Sequence, residues 1–265
     1  MKIFLKTEDE IGLMRNANML VAKTLGEIGK HIKPGVTTLQ LDKIAEEFIR
    51  DNGAKPSFKG FPNPYGAPFP ASICTSINDV VVHGVPDSKT ELKDGDVISV
   101  DCGAILDGFN GDSCYTFCVG EVKAEVRHLL QITKEALLLG IENAVAGRYI
   151  GDIGNAVQEH CEAAGYGVVR ELTGHGIGRK MHENPAAPNY GTRGSGVMLK
   201  DGMCIAIEPM ITLGRRYIYL MPDHWTVRTR DGKPAAHFEH TVAVRRGKVE
   251  VLSSFKEVEQ LEGNS

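Results

Sequence analysis

Leu41, Ile44, Ala45, Phe48 and Ile49 recur at the three- and four-residue spacing of one helix face, and the run stops at Asn52-Gly53. Val122, Val126, Leu129, Leu130, Leu137 and Ile141 repeat the pattern and predict a longer helix from Glu121 to about Val145. Ahead of both, Thr7 with Glu10 makes a capping box and no proline intervenes before Pro34, so a helix over roughly 8–30 is predicted. A shorter helix covers roughly 152–164. Between these segments the periodicity is lost. Residues 54–70 form a proline-rich, aromatic-bearing loop, and β-rich stretches follow to about 119. The segment "DVISVDC" (96–102) is apolar at nearly every position, as in a buried strand. Beyond the fourth helix the chain reads as strand and loop.

The pattern repeats itself. "PGVTTLQLDKIAEEFIRDNG", ending at Gly53, aligns with "AGRYIGDIGNAVQEHCEAAG", ending at Gly165. "LKDGDVISVD" (92–101) aligns more closely with "LKDGMCIAIE" (199–208). A His-Gly pair precedes each copy, His83-Gly84 and His175-Gly176, and a second acid follows on a strand, Asp112 in "GDSCYTF" and Glu239 in "FEHTVAV". The chain thus reads as a single domain over 1–265, built from related halves at about 1–120 and 121–250. Each half carries the order His, acid, acid.

Composition narrows the classes. A chain of 265 residues can bury a large core, and 42% hydrophobic with 24% charged residues is ordinary for a globular protein. The net charge of -4 gives no global basic field, so no specific nucleic acid is expected; Arg215, Arg216, Arg228, Arg230, Arg245, Arg246 and Lys248 read as solvated turns and edges. No apolar run approaches the ~18 residues of a membrane helix, and "MKIFLKTEDE" is no signal peptide. Six cysteines without a CxxC pair read as reduced, mostly buried thiols of a cytoplasmic protein.

Candidate chemistry lies with the repeated acids. Asp107-Gly108 and Asn110-Gly111 are both two-residue hairpin signals, and either turn places Asp101 and Asp112 on the same sheet face. Two carboxylates on a mostly apolar face are costly without a positive partner. Glu208 sits in the same setting in "MCIAIEPM". If the halves pack face to face, Asp101, Asp112, Glu208 and Glu239 converge with at least one imidazole. That oxygen-rich, thiolate-free set suits two divalent ions such as Mn, Fe(II), Co or Zn, and four carboxylates balance the charge of two such ions. Paired ions would polarise a carbonyl and acidify a shared water, so hydrolysis is the natural chemistry. On the residues alone, His83, His175 and His182 are all candidates, either for metal or for the reacting carbonyl. "GHGIGR" fails the dinucleotide fingerprint because Arg179 stands at its last glycine.

These segments together carry a family likeness. "HGVP" at 83, "SVDCG" with "NGDSCYTF" within 99–117, "GHGIGRKMHENP", "IAIEPM" at 205–210 and "WTVRTRDGKPAAHFEHTVAV" at 225–244 resemble the methionine aminopeptidases of bacterial type I. The resemblance spans essentially the whole chain and implies the α+β pita-bread fold, with pseudo-twofold halves and helices on the outer face of an antiparallel sheet. It implies metal ligands at Asp101, Asp112, His175, Glu208 and Glu239, with Asp112 and Glu239 bridging both ions. By the same resemblance, His83 and His182 contact substrate and Glu208 shuttles a proton. The implied reaction removes the initiator methionine from nascent chains when the second residue is small, by a cytoplasmic monomer. An enzyme acting on emerging chains would dock at the ribosome.

A methionine pocket needs an apolar lining; Phe61, Phe69, Cys74, Met181 and Trp225 are the candidates, with Ser57 at the margin. Met181 stands where bacterial relatives commonly have an aromatic. Two alternatives remain in the same fold. An X-Pro aminopeptidase or dipeptidase would be expected to carry an N-terminal domain, for which a first helix at about residue 8 leaves no room. A non-catalytic binding protein would be expected to lose ligands, and all five are present.

Overall fold

The computed structural model describes residues 2–262. Helix α1 (Glu8–Gly29) opens on the expected capping box: Glu10 N donates to Thr7 Oγ1 at 3.3 Å and Thr7 N to Glu10 Oε2 at 3.1 Å. Helix α2 (Thr38–Asp51) has the same device from Thr37 and Gln40, and ends where Gly53 takes φ +76°. Strands β1 (Lys55–Pro56), β2 (Ile73–Ile77), β3 (Val80–Val82), β4 (Val97–Leu106) and β5 (Phe109–Cys118) complete the first half. Helices α3 (Ala124–Glu142) and α4 (Ile150–Ala163) open the second. Then come β6 (Gly167–Val168), β7 (Thr173–Gly176), β8 (Glu183–Pro188), β9 (Cys204–Ile207) and β10 (Met210–Thr212). The chain goes on through β11 (Ile218–Leu220), β12 (Val227–Thr229), β13 (Ala235–His237), β14 (Glu239–Arg245), β15 (Lys248–Val251) and α5 (Lys256–Glu262).

The last element corrects the expectation of strand and loop after the fourth helix. "KEVEQLE" offers only Val258 and Leu261 to bury, too short an apolar pattern to reveal a helix, and α5 forms by docking on α1.

Nine strands make the main sheet, in the order β1-β4-β5-β14-β9-β7-β8, with β2 added on β4 and β15 on β14. Its pairings are antiparallel throughout. Two small sheets, β13-β10-β6 and β11-β12-β3, flank it. Side chains alternate faces along each strand. Val100, Cys102, Tyr115 and Phe117 point to the helix side, where they join Leu20, Val21, Leu25 and Ile28 of α1 in the main core. Each such fully buried aliphatic contributes about 1.5–3 kcal/mol. Asp101, Asp112 and Cys114, at alternate positions on the same two strands, point the other way.

The two halves share a hydrogen-bonding scheme. Gly35 N donates to Leu92 O (2.8 Å) and Leu92 N to Val36 O (2.9 Å), while Gly147 N donates to Leu199 O (2.9 Å) and Leu199 N to Arg148 O (2.7 Å). The turns of the two LKDG segments match as well: Gly95 N donates to Val119 O at 2.8 Å and Gly202 N to Val244 O at 3.1 Å. Isolated bridges fall at Thr37–Glu91 and at Tyr149–Met198, the positions the sequence alignment pairs. The seam between the halves is β5 against β14, where Glu239 faces Cys114 and His240 faces Ser113.

Candidate active site

The acids meet on the sheet's inner face, across that seam. Asp101 on β4 faces Cys74 on β2 and Cys114 on β5, and Cys114 in turn faces Glu239 on β14. Directly opposed residues share a face, so these four side chains form one row. Asp112, two positions before Cys114, lies on the same face and opposite Gly103. The β4–β5 hairpin turns at Asp107-Gly108, with φ +50° and +79°, as a primed two-residue turn requires. The second turn signal, Asn110-Gly111, lies inside β5 and serves another end. A Cβ on Gly111 would stand 2.6 Å from Asn18 N of α1, so only glycine lets the helix lie directly on the strand. The buried Asn18 then accepts from Asp112 N at 3.1 Å.

The second half brings His175 and Glu208. His175 on β7 faces Ala206 of β9, and its Nε2 stands 3.6 Å from both Asp112 Oδ2 and Glu208 Oε1. His175 Nδ1 lies 3.0 Å from Gly176 O, a contact that places the ring proton on Nδ1 and leaves the Nε2 lone pair facing the acids. Donor atoms of Asp112, His175 and Glu239 all lie within 4.8 Å of one another.

His83 and His182 stand at the edge of this cluster. His83 holds φ +57°, and the Gly84 that follows has no room for a Cβ against Thr75 O. The His182 ring meets His175 edge-on at 4.3 Å and Phe61 at 5.2 Å. Its glycine-rich segment is held from two sides. Asn110 Nδ2 donates to Gly178 O (3.0 Å) and Arg179 O (3.1 Å), and the buried Lys6 Nζ donates to Glu183 Oε2 at 2.6 Å.

Acids and imidazoles line a cavity of about 400 Å³. Phe61, Phe69, Cys74, Met181 and Trp225 line it too, together with Phe58, Val82, Leu172 and Met210, while Ser57 does not. Phe69 and Trp225 pack edge-on at 5.1 Å, and Trp225 Nε1 donates to Ala67 O at 3.0 Å, tying the proline-rich loop to the turn at 221–226. Ser57 turns away and donates to Asn110 Oδ1 at 2.9 Å, while Tyr65 is 79% exposed. A Cβ on Gly103 would lie 2.6 Å from Met181 Cε and 2.9 Å from Phe58 Cε1, so the missing side chain makes room for this wall.

His237 escaped the sequence reading. It is buried, with Nε2 3.5 Å from Glu208 Oε2, and the available signal was its place two residues before Glu239 on an extended segment.

Burial raises the proton affinity of Asp101, Asp112, Glu208 and Glu239, and the neighbouring acids raise Asp112 and Glu239 further. Burial lowers His175 to about 3 and His83 to about 4, so both imidazoles are neutral at pH 7. Asp101 Oδ1, Asp112 Oδ1 and Glu239 Oε1 are buried without any hydrogen-bond partner. Orphaned anionic oxygens around an imidazole lone pair are the environment that divalent cations satisfy, and the donor set of four carboxylates and one nitrogen fits them.

An antiparallel sheet with helices on one face and such a donor set on the other defines a pita-bread metallohydrolase. The chain belongs to metallopeptidase family M24, whose model matches residues 12–246. Over 251 residues it is 49% identical to a methionine aminopeptidase of Clostridium acetobutylicum, covering 95% of this chain and 98% of that one. Methionine aminopeptidase 1 of Bacillus subtilis is 47% identical, with 95% and 99% covered. The crystal structure of methionine aminopeptidase from Rickettsia prowazekii superposes with a TM-score of 0.91 at 43% identity, covering 96% of this chain and all of that one. These likenesses bear out the family resemblance drawn from the motifs.

Proposed function

We propose that this chain is a dinuclear-metal methionine aminopeptidase, releasing the initiator methionine from nascent proteins whose second residue is small. The observation that carries the reading is one cavity lined both by the acids and histidines and by Phe58, Phe61, Phe69, Cys74, Met181 and Trp225. A free α-amine would be attracted as a donor to divalent ions held by the acids, and a thioether side chain finds apolar and aromatic contacts among the remaining lining residues. An internal peptide bond brings no amine and forfeits that attraction. The relatives' names support methionine as the residue removed.

Asp101, Asp112, His175, Glu208 and Glu239 would hold the pair of divalent ions (Mn, Fe(II), Co or Zn). Bound there, such ions supply Lewis acidity to the scissile carbonyl and lower the pKa of water. The chain's own residues do the rest. Glu208, whose proton affinity burial raises, takes a proton from the attacking water and returns it to the leaving amine. His83 and His182, both neutral at pH 7, donate hydrogen bonds as negative charge grows on the carbonyl oxygen. No helix among the described residues is long and apolar enough to cross a membrane; the proposed substrate places the work on emerging chains, in the cytoplasm beside the ribosome.

The test is methionine release from Met-Gly-peptides, from Met-Leu-peptides and from Gly-Pro dipeptides by purified protein, with bound metal counted by elemental analysis. Cleavage of the first substrate alone, with two ions per chain, is expected. Preference for Gly-Pro would assign the X-Pro activity instead, and no hydrolysis by fully loaded protein would sink the enzymatic reading.

A further inference from the structure

Among the described residues, His237 is the buried imidazole beside the cluster that neither the proposed metal binding nor the proposed substrate contact uses. Its backbone is fixed from β5: His237 N donates to Thr116 Oγ1 at 3.1 Å, and its carbonyl accepts from Thr116 Oγ1 at 2.7 Å and Cys114 Sγ at 3.4 Å. Across β10 it faces Met210, which lines the cavity and follows Glu208 by two residues. The side chain is 2% exposed and Nε2 has no hydrogen-bond partner. A donor so placed is costly unless it is paired on loading of the site.

The nearest acceptor is Glu208. Its two oxygens are sorted: Oε1 lies 3.6 Å from His175 Nε2, on the side of the metal donors, and Oε2 lies 3.5 Å from His237 Nε2. A shift of about half an ångström brings Oε2 into hydrogen-bond range, a tightening typical of catalytic groups on loading. We infer that His237 is a positioning residue for Glu208, donating from Nε2 to Oε2 so that Oε1 alone is presented to the cation. Glu208 is the acid least supported by strand pairing, since β9 ends at Ile207 and the following Pro209 donates no backbone hydrogen bond. An external donor is what the local backbone fails to supply.

The inference rests on the metal-centre reading above, though not on the choice of methionine as substrate. The test is calorimetric titration of metal-free protein with Mn(II), together with kcat and KM on a Met-Gly-peptide, for the parent, His237→Leu and His237→Gln. Leu removes the donor, whereas the Gln amide can restore one from the same position. The expected result is about tenfold weaker Mn(II) binding and a lower kcat for His237→Leu, with KM little changed. His237→Gln should recover most of both, and the metal-free variants should unfold at the parent's midpoint. Parent-like Mn(II) affinity and kcat in His237→Leu would overturn the inference. So would a Gln variant as impaired as Leu, because the loss would then come from packing or from direct ligation. If His237→Leu does not fold, the Gln variant decides alone: near-parental Mn(II) affinity and kcat support the inference, and loss of either refutes it. Calorimetry needs no substrate, so weaker Mn(II) binding by His237→Leu would stand even if methionine peptides proved inert.

Discussion

Replacing Lys6 with Met would strand a buried negative charge beside the active-site loop. Lys6 Nζ stands 2.6 Å from Glu183 Oε2, with side-chain exposures of 5% and 6%. The ammonium group fills the space beside Gly178, where a Cβ would lie 2.6 Å from Lys6 Cε. Breaking a buried pair by removing one partner costs about 3–5 kcal/mol. Glu183 Oε1 keeps the hydrogen bond from Lys180 N (3.2 Å), which offsets about 1 kcal/mol. The net expectation is a loss of about 2–4 kcal/mol, or a fall in Tm of roughly 4–16 °C at this size. The double variant Lys6→Met/Glu183→Leu removes both charges and should lie within about 1 kcal/mol of the parent. Urea unfolding of the metal-free protein measures both, and a double-mutant cycle gives the coupling. If Lys6→Met unfolds within about 0.5 kcal/mol of the parent, the pair is effectively solvated and the reasoning fails. The same holds if the double variant is no better than the single one.

Three further outcomes follow from the site. His182→Ala should keep its metal by elemental analysis yet lose about a hundredfold in kcat, since on the proposed roles it would remove a donor to the developing oxyanion and no ligand. Gly103→Ala pushes a methyl group toward Met181 Cε and Phe58 Cε1, so KM for methionine peptides should rise about tenfold in steady-state assays while metal content is unchanged. Chelation should lower Tm by roughly 5–11 °C if the site was held at a hundred times its Kd, because that loading stabilises by about 2.7 kcal/mol; readdition of Mn(II) should reverse the shift in scanning calorimetry.

Much of this was legible in the sequence because the repeat fixes its own geometry. The alignment of "LKDG" at 92 and 199 anticipates the matched hydrogen bonds of Leu92 and Leu199, and the hairpin parity of Asp101 and Asp112 holds with the first of the two turns. What stayed hidden depends on contacts between distant segments. Gly111 looked like a turn residue because nothing local reveals that α1 will lie on it. His237 lies two residues before Glu239 inside a quoted motif, yet only the fold brings it to Glu208. Helix α5 is too short to show a period and owes its form to the helix beneath it. The apolar lining is legible only by residue type, and Phe58 carries no signal in the sequence that sets it apart from Phe61.

The β5–β14 seam carries a consequence for how the molecule stays whole. Ladder pairing there is brief, and hydroxyls lace the join: Ser113 Oγ donates to Glu239 O at 2.7 Å and Thr241 Oγ1 to Asp112 O at 2.9 Å. On the same sheet region each half contributes two buried acids, which are costly to hold charged without a cation. A cation settling among them acts as a rivet. Metal starvation would therefore loosen the protein along its midline as well as silence it, and the emptied molecules would be the ones that proteases open first.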